Sequence, residues 1–404
     1  MLHRLEIANF YSIREPHVID LRAAADAPDA DGRLAPLWRG CTERGPRVVA
    51  LFGANGSGKS NLLTAVSFIA WLLRHSFDAP RGARLPLERF NDTEMATAPT
   101  RLAVHLSGPQ EIGSADDPDA AACRYGYECT IGGGMQPRIE SETLRYWPSQ
   151  AGRRGVRLFA RDAAGRVSAA AAFGLGGYRP ALEKVLRPEA SLIATLAQWD
   201  HPFARLLSDT ADGVLSNIMI DRRAASDDSA VRYYAANPRL IEHLNRDIER
   251  MDLGIRAMHV LRGDHGPVAV FTHEGLAWDM PMMLESHGTR QFIRLYPLIL
   301  HALETGGVAV LDELDATMHP MLLPEILRWF HDPARNPHDA QLWMSCHNAA
   351  LLDELRQEEV LLCEKDSLGR SRIFGLRDIE AVRLPDHFYR KYIAGAFGAV
   401  PHIG

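Results

Sequence analysis

Lysine is nearly missing from this chain. Of 45 basic residues among 404, only Lys59, Lys184, Lys365 and Lys391 are lysines, and the rest are arginines. Surface arginine alone specifies nothing about function. Positive charge is not in excess either: the formal net charge is -6. That excludes a chain whose main task is to coat nucleic acid, so any contact with DNA or RNA must rest on a local patch. The five cysteines are odd in number and show no CxxC spacing, which argues against a disulfide framework and a thiolate metal site. Reduced thiols and a cytoplasmic location are expected. There is no apolar run of about 18 residues, so no membrane span is expected, and the N-terminus lacks the apolar stretch of a secretory signal. No repeat of about 20 to 50 residues is visible. What remains is ordinary: 46% hydrophobic and 24% charged residues, enough for one large domain or two smaller ones with a real core.

Leu2 to Phe10 alternates apolar and polar residues, the pattern of a half-buried strand, with Val18 to Leu21 as its expected hairpin partner. Ala23 to Gly45 reads as a surface loop. Val48 to Phe52 is short and wholly apolar, as in a parallel sheet covered on both faces. A helix is expected from Lys59 to Arg74. Strand patterns follow at 101–106, 124–131, 138–147 and 156–160, separated by turns such as Gly132-Gly133-Gly134, with an acidic, small-residue loop at 110–122. From about 180 to 251 apolar residues recur at helical spacing. Strands return at 257–261, 268–272, 308–312, 341–345 and 359–363, with helices at 290–303 and 322–330.

The strongest signal is Gly53-Ala54-Asn55-Gly56-Ser57-Gly58-Lys59-Ser60. It matches GxxxxGK[ST] and has an apolar strand before it and a helix after it. Glycines let successive N–H groups turn inward on phosphate oxygens, and the helix N-terminus adds partial positive charge. One of the four lysines stands here: Lys59 is placed to reach the β- and γ-phosphates, and the Ser60 hydroxyl to hold Mg²⁺. The nucleotide-contacting set expected around the loop is Asn55, Gly56, Ser57, Gly58, Lys59, Ser60 and Asn61.

About 250 residues later the apolar run Val308 to Leu311 ends in Asp312-Glu313. Paired acids at a strand's C-terminal end suit metal and water chemistry. Asp312 would hold Mg²⁺ through a bound water, and Glu313 would act on the attacking water as general base. Leu314-Asp315-Ala316-Thr317-Met318-His319-Pro320 follows. A second strand ends in Ser345-Cys346-His347, and His347 could hydrogen-bond a γ-phosphate. Upstream, Ser286-His287-Gly288-Thr289-Arg290 opens a helix. Ser286 and Gly288 could offer a hydroxyl and N–H groups to a second phosphate; a plain helix cap is the alternative use of the serine.

Together these residues resemble the ABC-type ATPases of the SMC, RecF and OLD kind, over roughly residues 1–110 and 255–404. The opening Leu5-Glu6-Ile7-Ala8-Asn9-Phe10-Tyr11-Ser12-Ile13 is similar to that group's N-terminal strand and its Asn-Phe-x-Ser turn. The resemblance implies an α/β P-loop ATPase head with mixed sheets and a helical insertion, with ATP and Mg²⁺ as cofactors. It implies a homodimer in which Ser286, Gly288 and Thr289 act on the partner's ATP, Asp315 lies at the interface, and His347 is the switch histidine. The expected division is 1–175 with 252–404 as the ATPase domain and 176–251 as a helical insertion. Departures exist. His287 stands where the signature has glycine or an acid, and Gln110 is a candidate for the usual loop glutamine by position only. No long heptad arm is present. Glu364 and Asp366 read as a hairpin turn, so a Toprim half is expected to be absent.

Within the group, Ser-x-Gly-Thr-Arg and the ending Tyr392-Ile393-Ala394-Gly395-Ala396-Phe397-Gly398-Ala399-Val400-Pro401 are similar to compact bacterial phage-defence ATPases of the RloA and AbiL kind. That implies an ATPase controlling a separately encoded toxin or nuclease effector. The alternative is a RecF-like DNA-binding ATPase. Its candidate patch is Arg145, Arg153, Arg154, Arg157, Arg161 and Arg166, with Tyr146 and Trp147 interleaved.

Overall fold

The computed structural model describes residues 1–29, 31–114, 120–132, 134, 136–148, 154–218, 220, 227–250, 254–316, 318, 320–380 and 387–400. Part of the 110–122 loop, Gly133, Arg153, Thr317, His319 and Pro401 lie outside them, as do residues 251–253 at the expected domain boundary.

The architecture is mixed α/β. A seven-stranded antiparallel sheet runs, in spatial order, Val167–Ala169, Val156–Arg161, Arg138–Trp147, Ala122–Gly132, Thr100–Pro109, Leu2–Ala8 and His17–Asp20. A six-stranded sheet runs Val214–Ser216, Val308–Leu311, Gln341–Ser345, Val48–Phe52, Val360–Lys365 and Ser371–Gly375, all parallel except the last hairpin. A three-stranded sheet joins Ile255–Gly263, Gly266–His273 and Met280–Pro281, and Leu34–Pro36 pairs with Arg44–Pro46 inside the expected surface loop.

The apolar runs of the six-stranded sheet have a simple cause: both of its faces are covered. Val49, Leu51, Val308, Val310, Trp343, Leu361 and Cys363 face a core shared with the antiparallel sheet and the helix Lys59–Arg74. Their neighbours Val48, Ala50, Phe52, Ala309, Leu311, Leu342, Met344, Val360 and Leu362 face a second core under the helices His287–Thr305 and Leu322–His331.

Residues 176–251 are woven into both cores. Helices Leu192–Ala197 and Pro202–Asp212 pack with the first. Val214–Ser216 then joins the six-stranded sheet as an edge strand beside Val308–Val310, inside a stretch read as helical. Helices Asp227–Ala236 and Pro238–Arg250 give Val231, Tyr234, Leu240, Leu244 and Ile248 to the second core.

The helix His287–Thr305 contains Pro297. A proline there removes one helical N–H and leaves the carbonyl four residues earlier without its rung. The fully buried Tyr234 supplies the missing donor, its hydroxyl bonding Ile293 O at 2.9 Å. Among the described residues no helix is long and apolar enough to cross a membrane.

Candidate functional site

The strand Val48–Phe52 delivers the glycine loop at the C-terminal edge of the six-stranded sheet. Gly53 has φ 152° and Gly58 φ 111°. A Cβ on Gly53 would stand 2.1 Å from Cys363 O, and one on Gly58 2.3 Å from Ser371 Oγ. The backbone therefore approaches its neighbours more closely than any side chain allows. Lys59 is buried, and its Nζ donates to Gly53 O at 2.8 Å and Ala54 O at 3.1 Å. Burial pushes its ammonium below the ordinary value, while the charges of Asp312 and Asp315 act the other way. Ser57 Oγ is buried with no partner, and Asn55, Gly56 and Ser60 are exposed.

A relay of hydroxyls holds the loop from beneath. Asn61 Nδ2 donates to Ser12 Oγ at 2.5 Å, Ser12 and Ser371 hydroxyls lie 2.7 Å apart, and Ser371 Oγ donates to Ser57 O at 2.6 Å. With the Ser371 hydrogen committed to that carbonyl, Ser12 is the donor between the two hydroxyls. Asn61, expected to contact nucleotide, ties the loop helix to the Asn9–Ser12 turn. Asn9 and Tyr11 take φ 52° and 50° in that turn.

The acids sit two strands away. Leu311 is level with Met344, and Ser345 with Leu51, so three parallel strands end together. Asn217 clamps the Asp312 peptide from both ends: its Oδ1 accepts Asp312 N–H at 2.8 Å and its Nδ2 donates to Asp312 O at 2.9 Å. Ser345 Oγ donates to Asp312 Oδ1 and accepts Glu313 N–H at 2.7 Å. Glu313 has φ 51°, a conformation that costs a non-glycine residue about 1–3 kcal/mol and clusters at functional sites. Its carboxylate is exposed and 4.0 Å from His347 Nε2.

Asp315 is engaged within its own chain. Its Oδ2 accepts His347 N–H at 2.7 Å and Asn348 N–H at 2.5 Å, with Cys346 Sγ at 3.2 Å. It therefore anchors the histidine turn, and its Oδ1 is buried without a partner. Ser345 was read only as part of the strand end Ser345-Cys346-His347, with no role of its own, and Asn217 did not stand out in the sequence. Each is an ordinary polar residue whose partner lies 32 or more positions away.

Ser286 caps the helix His287–Thr305: its Oγ accepts Thr289 N–H at 3.1 Å and lies 2.8 Å from Thr289 Oγ1. Ser286 and His287 are exposed, Gly288 is half-buried and Thr289 is buried. Within the chain these residues make a helix cap and are not part of the cluster around Lys59. Arg290 and Arg294 both pair with Asp227.

Other expectations change. Gln110 is exposed, just past the strand Thr100–Pro109 at the end away from the Ser12 turn. Arg161 is buried against Glu142 at 2.8 Å, and Arg166 pairs with Asp162. Of the arginine patch, Arg145 and Arg157 face each other across two strands with Arg154 nearby in sequence; Tyr146 packs on Phe203. Asp366 closes the turn between Val360–Lys365 and Ser371–Gly375.

The residues present fit a nucleotide triphosphate with Mg²⁺. The Ser57 hydroxyl is buried without a partner, Gly53 and Gly58 take backbone conformations that keep side chains out of the loop, and Asp312 follows a strand of the same sheet. Magnesium is commonly held this way, by one or two carboxylates plus substrate phosphates.

None of the curated proteins compared matches the chain. Among solved structures it is similar to the SMC head domain from Thermotoga maritima (16% identity, TM-score 0.42, covering 93% of this chain and 98% of that one). It is also similar to the Smc head domain with a coiled coil and joint from Pyrococcus yayanosii (11% identity, TM-score 0.45, 98% and 99%). A third is the Smc head domain from Pyrococcus furiosus bound to the C-terminal domain of ScpA (11% identity, TM-score 0.43, 93% and 96%). Residues 48–102 and 170–353 match the family described as AAA domain, putative AbiEii toxin, Type IV TA system. That match spans more than half of the chain and takes in the glycine loop, the paired acids and His347, so the protein belongs to this family.

Proposed function

We propose that this chain binds and slowly hydrolyses ATP, and that two copies close around two ATP molecules to control a separately encoded toxin or nuclease effector in bacterial anti-phage defence. The observation that carries the ATPase reading is the convergence at one sheet edge of Lys59, Asp312, Glu313 and His347, with Ser345 bridging the two acids. Lys59 and the loop N–H groups bind phosphate. Ser60 and Asp312 would hold Mg²⁺, which when bound neutralises charge developing on the transferred phosphoryl group. Glu313 is the residue placed to accept a proton from the attacking water.

The two-copy reading rests on Ser286, Gly288 and Thr289. They form a helix tip outside the Lys59 cluster with Ser286 exposed, so their phosphate-binding use calls for a nucleotide held by another copy. The toxin–antitoxin description of the family supports control of an effector. Glu313→Gln should keep ATP bound and hold a dimer. Light scattering at saturating ATP checks this, and a variant that stays monomeric there counts against shared sites.

A further inference from the structure

The tail 388–400 takes no part in the site as described, yet it touches the site from two sides. Its short helix, Phe388–Ile393, begins with Tyr389 N–H donating to Asp353 Oδ1 at 3.0 Å. Asp353 belongs to the turn Ala349–Glu354, directly after His347 and Asn348. Tyr392 sets its ring edge-on against Phe52, the last residue before the glycine loop, with centroids 6.4 Å apart. Its hydroxyl donates to Ala399 O at 3.1 Å. The same carbonyl accepts the N–H of Ala54, the second residue of the loop, at 3.2 Å. Phe397 and Ala399 are buried in the second core, and Ala399 is held at φ 57°. An L side chain occupies that region only when its surroundings impose it.

The Ala54 peptide is therefore gripped at both ends. Its N–H is held by the tail and its C=O by Lys59 Nζ at 3.1 Å. A lysine that shares its N–H groups with a triphosphate holds that carbonyl less firmly, and the tail is the grip that does not depend on it. We propose that residues 388–400 form a strut between the glycine loop and the His347 turn, with Tyr392 and Ala399 as positioning residues for nucleotide binding. The proposal rests on the nucleotide reading of the loop, and its test separates the two.

Tyr392→Phe keeps the ring against Phe52 and removes only the hydroxyl. Ala399→Pro cannot adopt φ 57° and displaces the carbonyl. Amide hydrogen exchange at Ala54, ATP affinity by calorimetry and kcat are measured. In the wild type the Ala54 amide should be protected without nucleotide, because its N–H bonds Ala399 O. Tyr392→Phe should weaken ATP binding about threefold and Ala399→Pro about tenfold, the scale of one hydrogen bond weakened or lost. Ala54 should exchange faster in both, and kcat should stay within about twofold, because the strut shapes binding and touches no reacting atom. Lys59→Ala should lose ATP binding while Ala54 stays protected. If Ala54 exchanges freely in the wild type, or if a folded Ala399→Pro binds ATP like the wild type, the strut is wrong. Should Ala399→Pro not fold, unchanged affinity in Tyr392→Phe overturns the proposal. ATP binding retained by Lys59→Ala would overturn the nucleotide reading instead.

Discussion

Ser345 shows what a single hydroxyl does at this site. It fixes the Asp312 carboxylate and holds the Glu313 N–H, and so stabilises the left-handed backbone that aims Glu313 outward. Removing it should misplace both acids and leave the glycine loop intact. Ser345→Ala is expected to lower kcat about 10–100-fold, the usual cost of losing an orienting partner at a metal-type site, while ATP affinity changes little. Steady-state kinetics beside calorimetry separate the two. At this scale legibility follows chain distance. Residues 53–60 could be read because a phosphate loop is contiguous and each position has one physical task. Ser345 and Asn217 could not, because their roles arise only when strands far apart in sequence end side by side. Asp315 was named for a dimer interface and Asn61 for nucleotide contact; within the chain their side chains bond His347 N–H and Ser12 Oγ, partners that sequence spacing does not reveal.

Among elements, the helix His287–Thr305 carries the most instructive compromise. Pro297 breaks its ladder, and Tyr234, from a helix some 60 residues earlier, closes the gap at Ile293 O. Tyr234→Phe leaves that buried carbonyl without a donor and should destabilise the fold by about 1–3 kcal/mol. Urea unfolding should show a lower midpoint with an unchanged slope; an unchanged midpoint would mean that water replaces the hydroxyl. The long elements were legible because their signals are strong: wholly apolar runs mark Val48–Phe52 and Val308–Leu311, and the phosphate loop announces the helix Lys59–Arg74. Val214–Ser216 was not. Three residues hold no period, and the strand exists only because Val308–Val310 offers it an edge.

For the molecule as a whole, acid should be the weak side. His105 is pushed down from its ordinary 6.5 to about 4, first by burial and then by the charges of Arg4 and Arg124. His3, whose ring stands edge-on to that of His105, is held well below its ordinary value by burial. The folded chain thus takes up these protons less readily than the unfolded chain, which binds more of them between about pH 6.5 and pH 4. Stability rises with pH across that window and is lost as pH falls through it, by up to about 3 kcal/mol for His105 alone. Urea midpoints at pH 7, 5.5 and 4.5 should fall more steeply for wild type than for His105→Gln, and parallel curves would exclude this cause.

The covered sheet has a further bearing on any such measurement. Because its strands offer alternate residues to opposite sides, Leu51 and Phe52, one peptide bond apart, belong to separate compartments with a common partition. Probes placed on the two would keep independent records, one per compartment. A disturbance starting at Gly53, where the chain leaves that partition for the glycine loop, should register in both at once.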